Sequence, residues 1–300
     1  MRPLQLHLGT FTRSVVLEVA RQDGSLAESG LEIRETLVTS SPAQFEALEA
    51  REFDLVFTSP DNVLAYRFIA DNPLHRHLRV QMLAALDRGL GLSLWINPSL
   101  TSVEQVRGGT LGVDVATSGF AFVGYELLAR ASVARSTYGT IDLGSTPARA
   151  SALTTSTCSA SILNAGNELR AGAAGCHRVG VVHDIGPYIG TVVGALETED
   201  NLVLDARARF IDVMLDTSTR IVAGERSAHV IAAARELLGL SDEQAHAHLE
   251  CLRSPLTGLT PTGVIDQASL DTLIDLRRRY LPTPELNTIG ELLESVLASN

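Results

Sequence analysis

The chain contains no lysine, because all 24 basic residues among its 300 are arginine. A Schiff-base enzyme, a pyridoxal-phosphate enzyme anchored through its own lysine and a Walker-type phosphate loop each require a lysine amine. The absence of lysine therefore excludes these three classes. Codon preference is a sufficient explanation for the bias toward arginine, and the exclusion holds whatever the cause.

Cysteine is scarce, and its spacing matches no recognised disulfide or metal pattern. Cys158, Cys176 and Cys251 include no C-x-x-C pair, so they indicate neither a disulfide framework nor a structural zinc site. His246 and His248 are two residues apart on a predicted helix and face different directions. We therefore predict no metal ion and no cofactor.

Positive charge is concentrated only at Arg277, Arg278 and Arg279, which we interpret as the solvated end of a helix. The net charge is −11 and the pI is about 5.2. No basic stripe is therefore present that would neutralise a phosphate backbone. We predict that the protein has no nucleic-acid partner.

Long apolar runs are also missing. No run approaches the roughly 20 residues that span a bilayer, so we predict that the chain is not membrane-spanning. Residues 1–8 pass directly into an alternating strand pattern, without the apolar stretch of roughly 7–15 residues found in a secretory leader. The sequence as written predicts a cytoplasmic location. The alternative is a periplasmic or other extracytoplasmic location, with a leader that has been trimmed.

The sequence does contain an alternation of strand and helix patterns, in a chain long enough for two domains. The strands are predicted at 4–8, 31–38, 53–58, 80–86, 92–96, 110–114, 138–143, 158–163, 179–182 and 189–196. The first predicted helix carries Val15, Val16, Val19 and Ala20, and the others are predicted at 42–50, 61–69, 118–131, 147–153, 166–174, 200–222, 226–238, 241–252, 266–280 and 286–298. This alternation predicts an α/β protein with mostly parallel sheets.

Four stretches, in this order, carry a resemblance to a known family: VVLEVARQDGSLAESGLEI, QFEALEAREFDLVFTSPDNVLAY, VRGGTLGVDVATSGFAFVGYELLA and RASALTTSTCSASILNAGNELRA. From about Leu4 to Tyr280 the chain resembles the type II periplasmic-binding-protein fold. It is similar to the substrate-binding proteins of ABC importers for sulfonates, nitrate and thiamine-pyrimidine precursors. The resemblance implies a two-lobed, hinged architecture with C-terminal helices. It implies a first lobe of residues 1–88 plus 188–300 and a second lobe of residues 89–187.

Ligands of open α/β sheets bind beyond the carboxyl ends of the strands, near helix starts. Two such loops belong to the first series of elements. One carries Thr10 and Phe11, whose hydroxyl and aromatic face suit a ligand, although a cap at Thr10 or Thr12 explains it equally well. The other gathers Ser59, Asp61 and Asn62 at one helix entrance, and capping needs only one of them.

The second series has a third such loop, at the start of its first helix. The hydroxyls and amide N–H groups of Thr117 and Ser118 suit a carboxylate, sulfonate or phosphate, and Gly119 allows close approach of the backbone. Phe120 adds an aromatic face. The structural alternative is a plain serine cap at Ser118.

A fourth loop and the second crossover complete the candidate site. Asn164 and Asn167 follow a buried strand, and their amides both donate and accept hydrogen bonds, although turn chemistry also explains them. The resemblance places the second crossover at residues 183–188. There we expect Gly186 to flex and Tyr188 to reach the ligand.

Catalytic residues are harder to find. Asp61, Asp114 and His183 are the acid–base candidates for an enzyme, but His183 and Asp184 are neighbours on a predicted strand and would point to opposite faces. Cys158 is predicted to be a buried, inert thiol inside a strand.

Two functions therefore stay open. The first is binding of a small organic, anionic molecule between the lobes, with an ABC permease as partner if the protein is exported. The second is a cytosolic enzyme of lyase, hydrolase or decarboxylase type, or a sensor, that uses the same cleft.

Overall fold

The computed structural model describes residues 3–289 and 293, whose strands form two five-stranded sheets. The strands of the first sheet are β1 Leu4–Thr10, β2 Leu31–Leu37, β3 Leu55–Thr58, β4 Val80–Asp87 and β10 Thr191–Leu196. The strands of the second sheet are β5 Ser93–Ile96, β6 Thr110–Val113, β7 Gly139–Asp142, β8 Ala160–Leu163 and β9 His177–Val181. Their orders are β2-β1-β3-β10-β4 and β7-β6-β8-β5-β9. The chain therefore crosses from the first sheet to the second after β4 and returns before β10.

Helices cover these sheets and end the chain. They are α1 Val15–Gln22, α2 Ser25–Glu28, α3 Ser41–Glu49, α4 Pro60–Phe68, α5 Gly119–Arg130, α6 Thr146–Thr154, α7 Asn167–Ala173, α8 Asn201–Ala223, α9 Ser227–Leu238, α10 Asp242–Arg253 and α11 Gln267–Tyr280. The last four agree with the predicted helices to within one residue at each end. The helix predicted at 286–298 falls mostly outside the described residues.

Both sheets are mixed, which corrects the prediction of mostly parallel sheets. β1 pairs in parallel with β2 and β3, and β6 pairs in parallel with β7 and β8. By contrast, β10 runs antiparallel to β3 and β4, and β5 runs antiparallel to β8 and β9. β5 and β10 are the first strands after the two crossings. Each runs opposite to the strands beside it in its sheet. The parallel part still carries the strand-end loops.

Each sheet with its helices forms one lobe, and α11 packs between the two. It contacts α4 on the first sheet and α5 on the second. One cluster of buried apolar side chains runs through it, from Leu64 on α4 through Leu273 and Ile274 to Phe122 on α5. A second cluster fills the space between the first sheet and helices α1, α8, α9 and α10. The C-terminal helices therefore pack mainly on the first lobe, while α11 also holds the second.

Candidate ligand-binding site

The strand-end loops of both lobes border one cleft of about 1100 Å³, measured out to open solvent. Seven of the predicted ligand residues line it: Thr10, Phe11, Ser59, Asn62, Ser118, Phe120 and Asn164. Five lie elsewhere: Asp61, Thr117, Gly119, Asn167 and Tyr188. Ser59 and Ser118, which belong to different sheets, therefore border a common crevice, as the two-lobed prediction requires.

A buried carboxylate organises the first loop. Glu35 on β2 accepts hydrogen bonds from the Thr10 hydroxyl at 2.9 Å and from the Ser14 amide at 3.0 Å, and it pairs with Arg13 at 3.4 Å. The cap expected at Thr10 or Thr12 is instead supplied by Ser14, which accepts from the Leu17 amide. Thr10 is therefore not the helix cap. Its hydroxyl donates to Glu35, and its side chain lines the cleft.

The second and third loops start α4 and α5, and both serines are caps. Ser59 accepts from the Asn62 amide at 3.2 Å, and Ser118 accepts from the Ala121 amide at 3.1 Å. The Ser118 hydroxyl also donates to Asp114, and burial raises the pKa of that carboxyl above its usual value, against the opposing influence of Arg149 and Ser118. The capping alternative is therefore correct for both serines, and capping leaves both at the edge of the cleft.

Arg149, a buried cation of the cleft, is not among the residues that the sequence predicted. Its side chain is 2% exposed, and its guanidinium donates to the Ile162 carbonyl at 3.1 Å, the Gly144 carbonyl at 2.5 Å and the Thr146 hydroxyl at 2.9 Å. Among the described residues all of its hydrogen bonds go to neutral oxygens, so no carboxylate binds it directly. One sequence feature could have indicated this residue: α6 begins directly after β7, so its start is a fifth strand-end loop like the four described above.

Arg149 is connected to the fourth loop through Thr146. The Thr146 hydroxyl donates to the Asn164 side-chain oxygen at 3.3 Å, and the Asn164 amide donates to the Gly89 carbonyl at 3.3 Å. Asn167 donates to the Asn164 carbonyl and thereby closes the turn before α7. Asn164 therefore faces the cleft, while Asn167 supports the turn.

Asp87, at the end of β4, is a second cleft residue that was not predicted from the sequence. It lines the cleft where the chain first crosses between lobes, and its carboxylate accepts from the Gly89 amide at 2.7 Å. Burial raises its pKa to about 6, while hydrogen bonds from Thr191 and Gly89 oppose the shift.

Asp61 contacts the second lobe and the C-terminal helix instead of the cleft. It forms a bidentate ion pair with Arg277, at 2.7 and 2.6 Å, and both side chains are at most 3% exposed. Arg277 also donates to the Thr117 carbonyl. A Cβ at Gly119 would lie only 2.6 Å from the Asp61 Cβ, so the starts of α4 and α5 touch here. The interpretation of the arginine run as solvated is therefore wrong for Arg277, because its side chain is buried in an ion pair with Asp61.

The remaining candidates also differ from their predicted settings. His183 and Asp184 lie in a short 3-10 turn, Val182–Asp184, not on a strand, and both are exposed. Cys158 lies in a bend before β8, not inside the strand, but it is buried, and burial raises the pKa of its thiol to about 11. Tyr188 is buried, and its hydroxyl has no partner among the described residues.

Within residues 3–289 and 293, no group of three or more histidine, cysteine, aspartate or glutamate side chains is placed to hold a metal ion. Over the same residues, no helix is both long and apolar enough to cross a membrane.

Two mixed α/β lobes around a cleft, crossed twice by the chain, define the periplasmic-binding-protein fold. Searches of family models and of curated proteins found no match. The alkanesulfonate-binding protein of Xanthomonas axonopodis pv. citri is 13% identical, with a TM-score of 0.74 over 95% of this chain and 96% of that one. The periplasmic nitrate-binding protein of Synechocystis is 9% identical, with a TM-score of 0.72 over 98% and 86%.

A third similar structure is the ligand-binding component of an ABC-type import system from Staphylococcus aureus, 11% identical, with a TM-score of 0.72 over 93% and 94%. At such identities the likeness establishes the fold. The two-lobed architecture implied by the sequence resemblance is therefore confirmed. The predicted cytoplasmic location finds no support among these proteins, one of which is described as periplasmic.

Proposed function

We propose that the protein binds a small anionic organic molecule between its lobes and that Arg149 receives the acidic group. The observation that carries the proposal is that Arg149, at the wall of a cleft, donates only to neutral oxygens among the residues that the structure describes. A guanidinium with free N–H groups is suited to carboxylates, sulfonates and phosphates. Thr10, Ser59 and Ser118 add hydroxyls from both lobes.

Binding through both lobes would also explain how the lobes close. A ligand that contacts the strand-end loops of both sheets stabilises the closed state over the open one. The structural neighbours include proteins described as binding alkanesulfonate and nitrate, which supports an acidic ligand here. We infer lobe boundaries at 88/89 and 187/188. An extracytoplasmic location with an ABC permease as partner fits the same proteins.

Replacing Arg149 tests the proposal. Acidic ligands found by a thermal-shift screen of carboxylates, sulfonates and pyrimidines are titrated by calorimetry into the wild type, Arg149→Gln and Arg170→Gln. Because a hydrogen bond to a charged group contributes about 1.5–3 kcal/mol, we expect R149Q to bind roughly 10- to 100-fold more weakly.

Arg170, exposed on the neighbouring helix α7, provides the control, and R170Q should bind like the wild type. The melting temperature of each variant shows whether it is folded. Equal affinity of folded R149Q and wild type for every acidic ligand contradicts the proposal.

The enzyme alternative rests on Asp87 and Asp114, two buried carboxyls of the cleft whose pKa values are raised by burial. Raised pKa values in a cleft are typical of acid–base groups. Mass analysis of a ligand recovered after incubation distinguishes the two functions. An unchanged compound supports binding alone, and a changed one supports catalysis.

A further inference from the structure

The cleft has an apolar wall that the strand-end loops do not supply. We use this name for the side chains of α1, α8, α9, α10 and the chain after α10 that line the cleft: Val15, Val16, Met214, Leu238, Leu252 and Leu259. Leu86 near the end of β4 and Leu90 in the first crossing also line the cleft. A nitrate-sized anion held at Arg149 has no apolar surface to place against this wall. The wall fits the apolar body of a larger acid.

Two polar side chains line the cleft among these apolar ones: Ser218 on α8, whose hydroxyl donates to the Met214 carbonyl, and His248 on α10. His248 on α10 is 2% exposed and lines the cleft, and its Nδ1 has no hydrogen-bond partner among the described residues. Burial lowers its pKa to about 4, so the imidazole is neutral at pH 7. A buried ring nitrogen without a partner destabilises the folded protein, and a ligand group that pairs with it removes that cost.

His248 also lies close to the second lobe. A Cβ built on Gly166 would lie 3.7 Å from the His248 Nδ1 and 3.0 Å from the Leu238 side chain. Gly166 follows Asn164 and Ala165, which both line the cleft. A ligand group at His248 therefore sits where the second lobe meets the apolar wall, in the same cleft as Arg149.

We propose that the ligand is an amphipathic acid: its acidic group binds Arg149, its apolar body covers the apolar wall, and a distal hydroxyl pairs with His248. A neutral imidazole has one donor and one acceptor nitrogen, and a hydroxyl complements either. This inference rests on the proposed function, since it assumes that an acidic group is held at Arg149. Beyond the proposed function, it specifies that the ligand has an apolar body and a hydroxyl at the end opposite its acidic group.

Three acids test the acidic group, the apolar body and the distal hydroxyl in turn: acetate, 3-phenylpropionate and 3-(4-hydroxyphenyl)propionate. Each is titrated by calorimetry into the wild type, Arg149→Gln, His248→Phe and His246→Phe. His246 lies on the same helix but is exposed, so it receives the same substitution away from the cleft. Melting temperatures verify that each variant is folded.

In the wild type, we expect 3-phenylpropionate to bind at least about thirtyfold more tightly than acetate, because its ring is removed from water. The hydroxylated acid should bind roughly three- to tenfold more tightly still, as one added hydrogen bond gives. H248F should remove the preference for the hydroxylated acid and keep the preference for the ring. H246F should keep both.

The possible failures are distinguishable. If acetate binds and depends on Arg149, but 3-phenylpropionate binds no more tightly, the apolar-wall inference is wrong and the proposed function stands. If the wild type does not prefer the hydroxylated acid, or if folded H248F keeps that preference, His248 has no such role. If none of the three acids binds, while an acidic ligand from the thermal-shift screen binds and depends on Arg149, the amphipathic-acid inference is wrong and the proposed function stands. The wild-type comparisons need no variant to fold.

Discussion

At the scale of single residues, the interior of this protein holds several ionisable groups that have no hydrogen-bonded partner of opposite charge among the described residues. Arg149 donates to neutral oxygens alone among the described residues, and Asp87 lies in the cleft with a pKa of about 6. Glu168 on α7 is 5% exposed, its Oε2 has no partner among the described residues, and burial raises its pKa to about 8. Such groups either serve a ligand or cost stability.

Glu168 gives a prediction on stability against pH. Its carboxyl titrates near 4.5 in the unfolded chain and near 8 in the folded one, so the folded state alone holds this proton between those values. Stability therefore falls as pH rises from about 4.5 to about 8, and this loss is complete above 8. Since each pKa unit corresponds to about 1.4 kcal/mol, Glu168→Gln should be more stable than the wild type by a few kcal/mol at pH 8.5.

Urea unfolding at pH 5.5 and 8.5 measures this difference. The advantage of E168Q should shrink toward the lower pH. Glu250→Gln, at an exposed position on α10, should follow the wild type at both values. An advantage of E168Q that does not change with pH would contradict the assignment.

At the scale of elements, α11 connects the two lobes by packing against α4 of the first and α5 of the second. Its Arg277 binds Asp61 of α4 and the Thr117 carbonyl before α5, while Arg279 and Tyr280 both donate to Glu126 of α5. A buried bidentate pair of this kind is sensitive to the loss of one partner, because the other charge stays in the interior.

Two neighbours in the arginine run give a matched prediction. Arg277→Met leaves Asp61 buried without its partner, so we expect it to lower the free energy of unfolding by about 3–5 kcal/mol. Arg278→Met removes a half-exposed side chain and its ion pair with Asp275, which should change stability by less than about 1 kcal/mol. Chemical denaturation of both variants checks this, and similar losses in the two would be the contrary result.

The elements also show what the sequence predicts and what it does not. Periodicity predicted the four C-terminal helices and the loops of Ser59 and Ser118, because local patterns decide where helices begin. The contact of Asp61 with Arg277 joins residues 216 apart, which no local pattern indicates. Arg149 was missed because it lies inside α6, four residues after the cap at Ser145, and its position at the cleft follows from tertiary packing and not from a local pattern.

At the scale of the whole molecule, two lobes present complementary parts of one site. The first lobe supplies Thr10, Ser59 and the apolar wall, and the second supplies Arg149, Ser118 and Asn164. No single lobe holds all of these groups, so a ligand that uses them must be enclosed by both. Under the proposed function, this division couples ligand binding to closure of the lobes.

A crystal structure of the protein with a bound acid found by titration tests this central claim most directly. We predict that the oxygens of the acidic group lie within hydrogen-bonding distance of the Arg149 guanidinium and that hydroxyls of the first lobe contact the same molecule. An acid bound to one lobe only, or away from Arg149, would contradict the account.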